Sequence, residues 1–153
     1  MNGDRMKDVE NDDDQRRPMA MVLLGGLYLF FFMLTVSTFG YPYPFMGSIL
    51  HGRTAESVVF VDSMICLYLF LGLMKRQRLT WYLLIGYNTF EVMNSFVNLR
   101  YITEAELEKV LGQPVDSRGM AVNNISVIVA IILLTAFIYR HREYFTNRSK
   151  YLF

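Results

Sequence analysis

"WYLLIGYNTFEVMNSFVNL", residues 81–99, is the stretch whose reading decides the fold. As a helix rising 1.5 Å per residue it covers about 28 Å, close to the hydrocarbon thickness of a bilayer. Yet Asn88, Glu91, Asn94, Ser95 and Asn98 interrupt its apolar run. A carboxylate in hydrocarbon is costly, so such a segment crosses a membrane only if its polar side faces protein or water. Read as a span, opened by Thr80, it is the third of four.

The other three are less ambiguous. "MAMVLLGGLYLFFFMLTVSTF", residues 19–39, contains no charge. It is too long for a signal core of roughly 7–15 residues, and the leader before it is acidic rather than basic. It reads as a retained transmembrane helix. The second span is expected at 57–74, with Thr54 as N-cap and Glu56 in the first turn. The fourth is expected at 120–139, where the chain turns basic. With 153 residues the chain is one domain by length. Charged residues make up 19%, below the soluble average of about 25%, and they cluster between the uncharged runs. The expected fold class is therefore all-α, a polytopic integral membrane protein built as a four-helix bundle. Residues 1–18 form an acidic tail expected to be disordered, 19–140 the transmembrane domain, and 141–153 a basic and aromatic tail.

Orientation follows from Lys and Arg. The N-terminal tail, the turn "KRQRLT" (75–80) and the C-terminal tail hold eleven of the 15 basic residues. Arg53, Arg100, Lys109 and Arg118 are on the other side. The positive-inside rule puts both termini in the cytoplasm of a multi-pass cell-membrane protein, and an even span count agrees. Trp81, Tyr82, Tyr139, Tyr144 and Phe145 would mark the inner interface. Tyr41, Tyr43, Phe45 and Tyr101 would mark the outer one.

Of the outer connections, "GYPYPFMGSILHGRT" (40–54) is expected to be non-helical because of its alternating prolines. "TEAELEKVL" (103–111) opens with a capping-box pattern, Thr103 and Glu106, and reads as a short surface helix broken by "GQPVDSRG". The tail "YRHREYFTNRSK" (139–150) suits anionic headgroups, at about 1 kcal/mol per basic residue, though it serves topology equally well.

The polar residues carry the functional question. At 100° per residue, Asn88, Glu91, Asn94, Ser95 and Asn98 fall within an arc of about 120°. Asp62 of the second span and Asn124 of the fourth are expected at a similar level below the outer surface. These positions predict an outward-facing polar pocket lined by Glu91, Asp62, Asn94, Asn98 and Asn124, closed beneath by apolar packing. Glu91 is a candidate for an acid held neutral, or one that changes protonation with occupancy. With Asp62 it could share a proton or hold a cation. The plainer alternative is structural, since Asn and Ser also join helices by hydrogen bonds, at about 0.6 kcal/mol each. Cys66, one turn beyond Asp62, reads as a small packing residue.

No catalytic motif of the HExxH, Walker, GxGxxG, CxxC or GxSxG type occurs, and His51 and His141 fall on opposite sides. No enzyme, metal site or cofactor is expected. A net charge of +1 gives no reason to expect nucleic acid. The basic turn "KRQRLT" and the ending "IYRHREYF" resemble small four-helix membrane proteins of prokaryotes. That resemblance implies the same layout and carries no activity. Two functions are expected from these readings: binding of a small ligand, proton or cation in a transport-related role, or a non-catalytic scaffold docking another membrane protein. Besides the lipid bilayer, a homo-oligomer or a membrane-protein partner is expected, because one small chain is short for alternating access.

Overall fold

The structure is a computed structural model and describes residues 18–148. The disorder expected of the N-terminal tail falls on residues outside these, as do the last five residues. The described residues are mostly helical, 77%. In order it forms α1 (Met19–Ser37), a hairpin of β1 (Tyr43–Phe45) and β2 (Ser48–Leu50), α2 (Gly52–Met74), α3 (Arg78–Tyr101), α4 (Glu104–Leu111), α5 (Ser117–Arg140) and a 3-10 turn (Arg142–Tyr144). Among the described residues three helices, α1, α2 and α5, are long and apolar enough to cross a membrane. The sequence suggested four. α3 is as long, but the polar stripe from Asn88 to Asn98 lowers its hydropathy.

Helix ends differ from expectation. α2 begins at Gly52 after His51, not at Thr54, and α3 begins at Arg78 after Gln77, not at Thr80. Between them the chain turns tightly. Arg76 adopts a positive φ of 54°. Its N–H bonds the Leu73 carbonyl and the Gln77 N–H bonds the Gly72 carbonyl, each at 3.0 Å. This pair of bonds is a Schellman ending, which satisfies carbonyls the helix would leave open. Arg takes the place usually given to Gly.

α1 packs along α2, and α3 packs along α5. The core lies at the end holding the α2–α3 turn, with Met21, Leu24, Leu69, Leu73, Leu84 and Ile138 buried. Above it a polar bridge ties three helices. Tyr28 of α1 donates to Asn88 Oδ1 at 2.7 Å, and Asn88 Nδ2 donates to Thr135 Oγ1 of α5 at 3.1 Å. Asn88 thus joins α1, α3 and α5 rather than a pocket. Large side chains such as Met33, Ile132 and Leu133 stay exposed on the outer faces of α1 and α5.

The proline-rich connection is not a loose loop. β1 and β2 pair antiparallel with Phe45 opposite Ser48, so Met46 and Gly47 form a two-residue turn. Their φ angles are 47° and 83°. Positive φ at both positions is the type I′ geometry that matches strand twist.

The capping box at α4 forms as expected. Thr103 accepts from the Glu106 N–H, and the Glu106 carboxylate accepts from the Thr103 N–H at 3.0 Å. That backbone bond, with the Thr103 hydroxyl, holds the Glu106 carboxyl below its ordinary value of 4.5. The cap is therefore complete above the unfolded value and is lost as pH falls through the lower folded value. We expect the Thr103 amide proton resonance to hold steady down to about pH 4.5 and to move below it. Glu106→Gln should remove that movement. A Thr103 resonance that still titrates in the Gln variant would reject the assignment.

Candidate functional site

Asp62 of α2 lies ten residues from the start of its helix, and Glu91 of α3 ten residues from its end. Both sit about 15 Å from those ends at 1.5 Å per residue, so the two carboxyls share a level near mid-helix. That is deeper than expected for Asp62, because α2 starts earlier than its sequence suggests. α2 and α3 approach over only a short stretch. The gap between them is a cavity of about 300 Å³ that both acids line.

Asp62 is held from three elements. Tyr87 of α3 donates to Oδ1 at 2.8 Å. Tyr43 of β1 donates to Oδ2 at 3.3 Å, and Thr35 of α1 donates to the same oxygen at 3.5 Å. A carboxyl offers about four acceptor positions, so hydroxyls fill most of them. Burial, with the Asp62 and Glu91 carboxyls nearby, pushes the Tyr43 phenol well above its ordinary value. Tyr43 is therefore a fixed proton donor across the physiological range. The buried Cys66 thiol lies 3.3 Å from the Tyr87 hydroxyl and extends the chain inward.

Glu91 is half-buried and lines the same cavity as Asp62. Apart from Ser57, the remaining walls are apolar: Val58, Val61 and Ile65 from α2, Phe90 from α3 and Phe45 from the hairpin. Val61 and Ile65 lie on the exposed side of α2. The cavity therefore opens sideways between the helices, with its acids at the back.

Only part of the expected pocket assembles. Asp62 and Glu91 line one cavity. Asn94 and Asn98 do not line the cavity: they dock the hairpin. Asn94 Oδ1 accepts from the Met46 N–H at 2.8 Å, and Asn98 Oδ1 accepts from the Gly47 N–H at 2.7 Å. The type I′ turn points its two amides at α3, and amide oxygens four residues apart on one helix face meet them. Asn124 lies on α5, which packs on α3 and contributes nothing to the cavity wall. The wall is also more apolar than expected.

Sequence reading missed Tyr87, Tyr43 and Thr35. Tyr87 was findable, since it precedes Glu91 by one helical turn on the same face. Tyr43 reads as an interface anchor until the hairpin folds it over α2. Among the described residues no three His, Cys, Asp or Glu side chains converge as a metal would need. The acid pair suits a monovalent or organic cation, or a shared proton, better than a divalent ion, which takes 6–8 oxygen ligands when it is calcium.

Comparison with family models, curated proteins and solved structures finds no match to this chain.

Proposed function

We propose that the chain is a membrane protein with α3 as a fourth span, both termini cytoplasmic, that binds a small amphipathic cation in the cavity between α2 and α3. The carrying observation is that two carboxyls from different helices face one cavity whose other walls are largely apolar. Carboxyls at span depth are functional by default, and apolar walls with a few placed polar groups are what small-molecule sites have. The exposed apolar faces of α1 and α5 support lipid contact, and the basic residues around the α2–α3 turn support the orientation. A transport-related role fits such a site. Docking another membrane protein through polar helix faces is the weaker reading, because Asn88, Asn94 and Asn98 already spend their amides inside the molecule.

Tetraphenylphosphonium, a lipophilic cation, is a suitable probe. The full chain in lipid nanodiscs should bind it saturably. Glu91→Gln and Asp62→Asn should each weaken binding about tenfold, the loss expected from one charge–charge contact of about 1.4 kcal/mol. Asn124→Ala should leave it unchanged. Equal binding by the parent and by Glu91→Gln would reject the site.

A further inference from the structure

The opposite end of the molecule holds a second cavity, about 620 Å³, that the acid site does not use. Arg78, Arg142 and Arg148 line it with Trp81, Tyr82 and one acid, Glu143. All three arginines are exposed.

Their grouping is built rather than incidental. The segment after α5 folds back onto the α2–α3 turn. Asn147 bridges to Gln77 in a parallel β-bridge. The Arg78 N–H donates to the Asn147 carbonyl at 2.9 Å, and the Asn147 N–H donates to the Arg76 carbonyl at 3.0 Å. Arg76 Nε donates to the Tyr144 carbonyl at 2.8 Å, and Phe145 inserts into the core at 3% exposure. These anchors hold Arg142 and Arg148 across from Arg78 at the first residue of α3. The first-turn amides of that helix add their own positive end. Trp81 is fixed by its Nε1 donating to the Ile138 carbonyl at 3.2 Å. Its ring and Tyr82 sit where amphipathic rings mark headgroup depth.

Three guanidinium groups around one cleft, outnumbering its single carboxylate, are suited to a phosphate, which Arg forks bind through paired N–H donors. Aromatic rings at the rim suit the glycerol and upper acyl carbons beside such a phosphate. We propose that this cleft binds a phosphate group, as carried by an anionic lipid headgroup at the inner surface. The C-terminal segment is then part of a lipid site and not only a topology signal. The site is independent of the acid cavity, and the two can fail separately.

The chain has one tryptophan, Trp81, and it lines the cleft. Its emission therefore reports on this site alone. The full chain in neutral detergent micelles should show a saturable emission change with phosphatidylglycerol and none with phosphatidylcholine. Arg142→Gln with Arg148→Gln should weaken the apparent affinity about thirtyfold, at about fivefold per basic residue. Arg78→Gln, which leaves the C-terminal segment untouched, should weaken it about fivefold. Arg100→Gln with Arg118→Gln, in the last turn of α3 and the first turn of α5 at the other end of the molecule, should change nothing. Inorganic phosphate that competes with the lipid or replaces its effect supports the same site and identifies free phosphate as a ligand. The proposal is overturned if phosphatidylcholine gives the same change, if the arginine variants bind phosphatidylglycerol like the parent, or if the outer-side pair loses as much.

Discussion

Gly72→Val should be among the most damaging single substitutions in this chain, costing about 3 kcal/mol or more. Gly72 is buried in the last turns of α2, facing the buried Thr80 at the start of α3. A Cβ at Gly72 would overlap the Thr80 hydroxyl and lie 2.9 Å from both Thr80 Cβ and Cγ2. Thr80 is β-branched and fully buried, so it has no room to swing aside. Overpacking of this kind costs about 1–3 kcal/mol where the surroundings can shift. Here they cannot shift easily, because the Gly72 carbonyl also closes the Schellman ending. Removing a helical glycine returns less than about 1 kcal/mol of propensity. Thermal unfolding of the full chain in detergent, followed by far-ultraviolet circular dichroism, measures the outcome. Gly86→Ala is the control: nothing lies within 4 Å of its added Cβ, so it should be neutral or stabilising. Adding Thr80→Gly to Gly72→Val removes all three atoms in the way and should restore part of the loss. If Gly72→Val melts like Gly86→Ala, the close approach of α2 and α3 at this turn is wrong.

Gly47→Val should detach the hairpin from α3, raising its open population about a hundredfold. Two terms add. Gly47 has a φ of 83°, which a β-branched residue adopts only with strain of about 1–3 kcal/mol. Its new Cβ would also meet Tyr101 Cβ at 2.9 Å and Val97 Cγ1 at 3.2 Å. The hairpin's own amides are held by Asn94 and Asn98, so the strain has a clear way to relax: the turn lifts off and those bonds break. Amide exchange over residues 43–50 should then accelerate about a hundredfold, the factor that about 2.8 kcal/mol gives, while α5 keeps its protection. Gly40→Val separates the two terms. Gly40 has a φ of 86° but nothing within 4 Å, so strain acts alone and the hairpin should stay docked. Equal exchange in Gly47→Val and the parent would reject the docking. Loss of the hairpin would also withdraw Tyr43 from Asp62 and Phe45 from the cavity wall, linking this turn to the acid site.

The polar stripe on α3 shows where sequence reading reached its limit. A 100° period put Asn88, Glu91, Asn94 and Asn98 on one side of one helix, and they are there. It could not say that they serve three different neighbours. Asn88 meets Tyr28 and Thr135, Asn94 and Asn98 meet the hairpin turn, and only Glu91 opens into the cavity with Asp62. The hairpin itself was hidden because "YPYPFMGSIL" lacks the alternation that marks a strand, and Met-Gly is an uncommon turn pair beside Asn-Gly.

Local chemistry in the chain was enough to set the helices, the capping box at Thr103 and the stripe that pairs with other elements. Those depend on contacts within a few residues, where period and propensity act directly. Which acid meets which hydroxyl, where the C-terminal segment docks, and that three arginines converge beside Trp81 were decided only by the tertiary fold. These are meetings between residues 19 to 72 positions apart, such as Asp62 with Tyr87 or Arg76 with Tyr144. Helix crossing, turn direction and the early start of α2 decide those distances, and no short-range pattern encodes them.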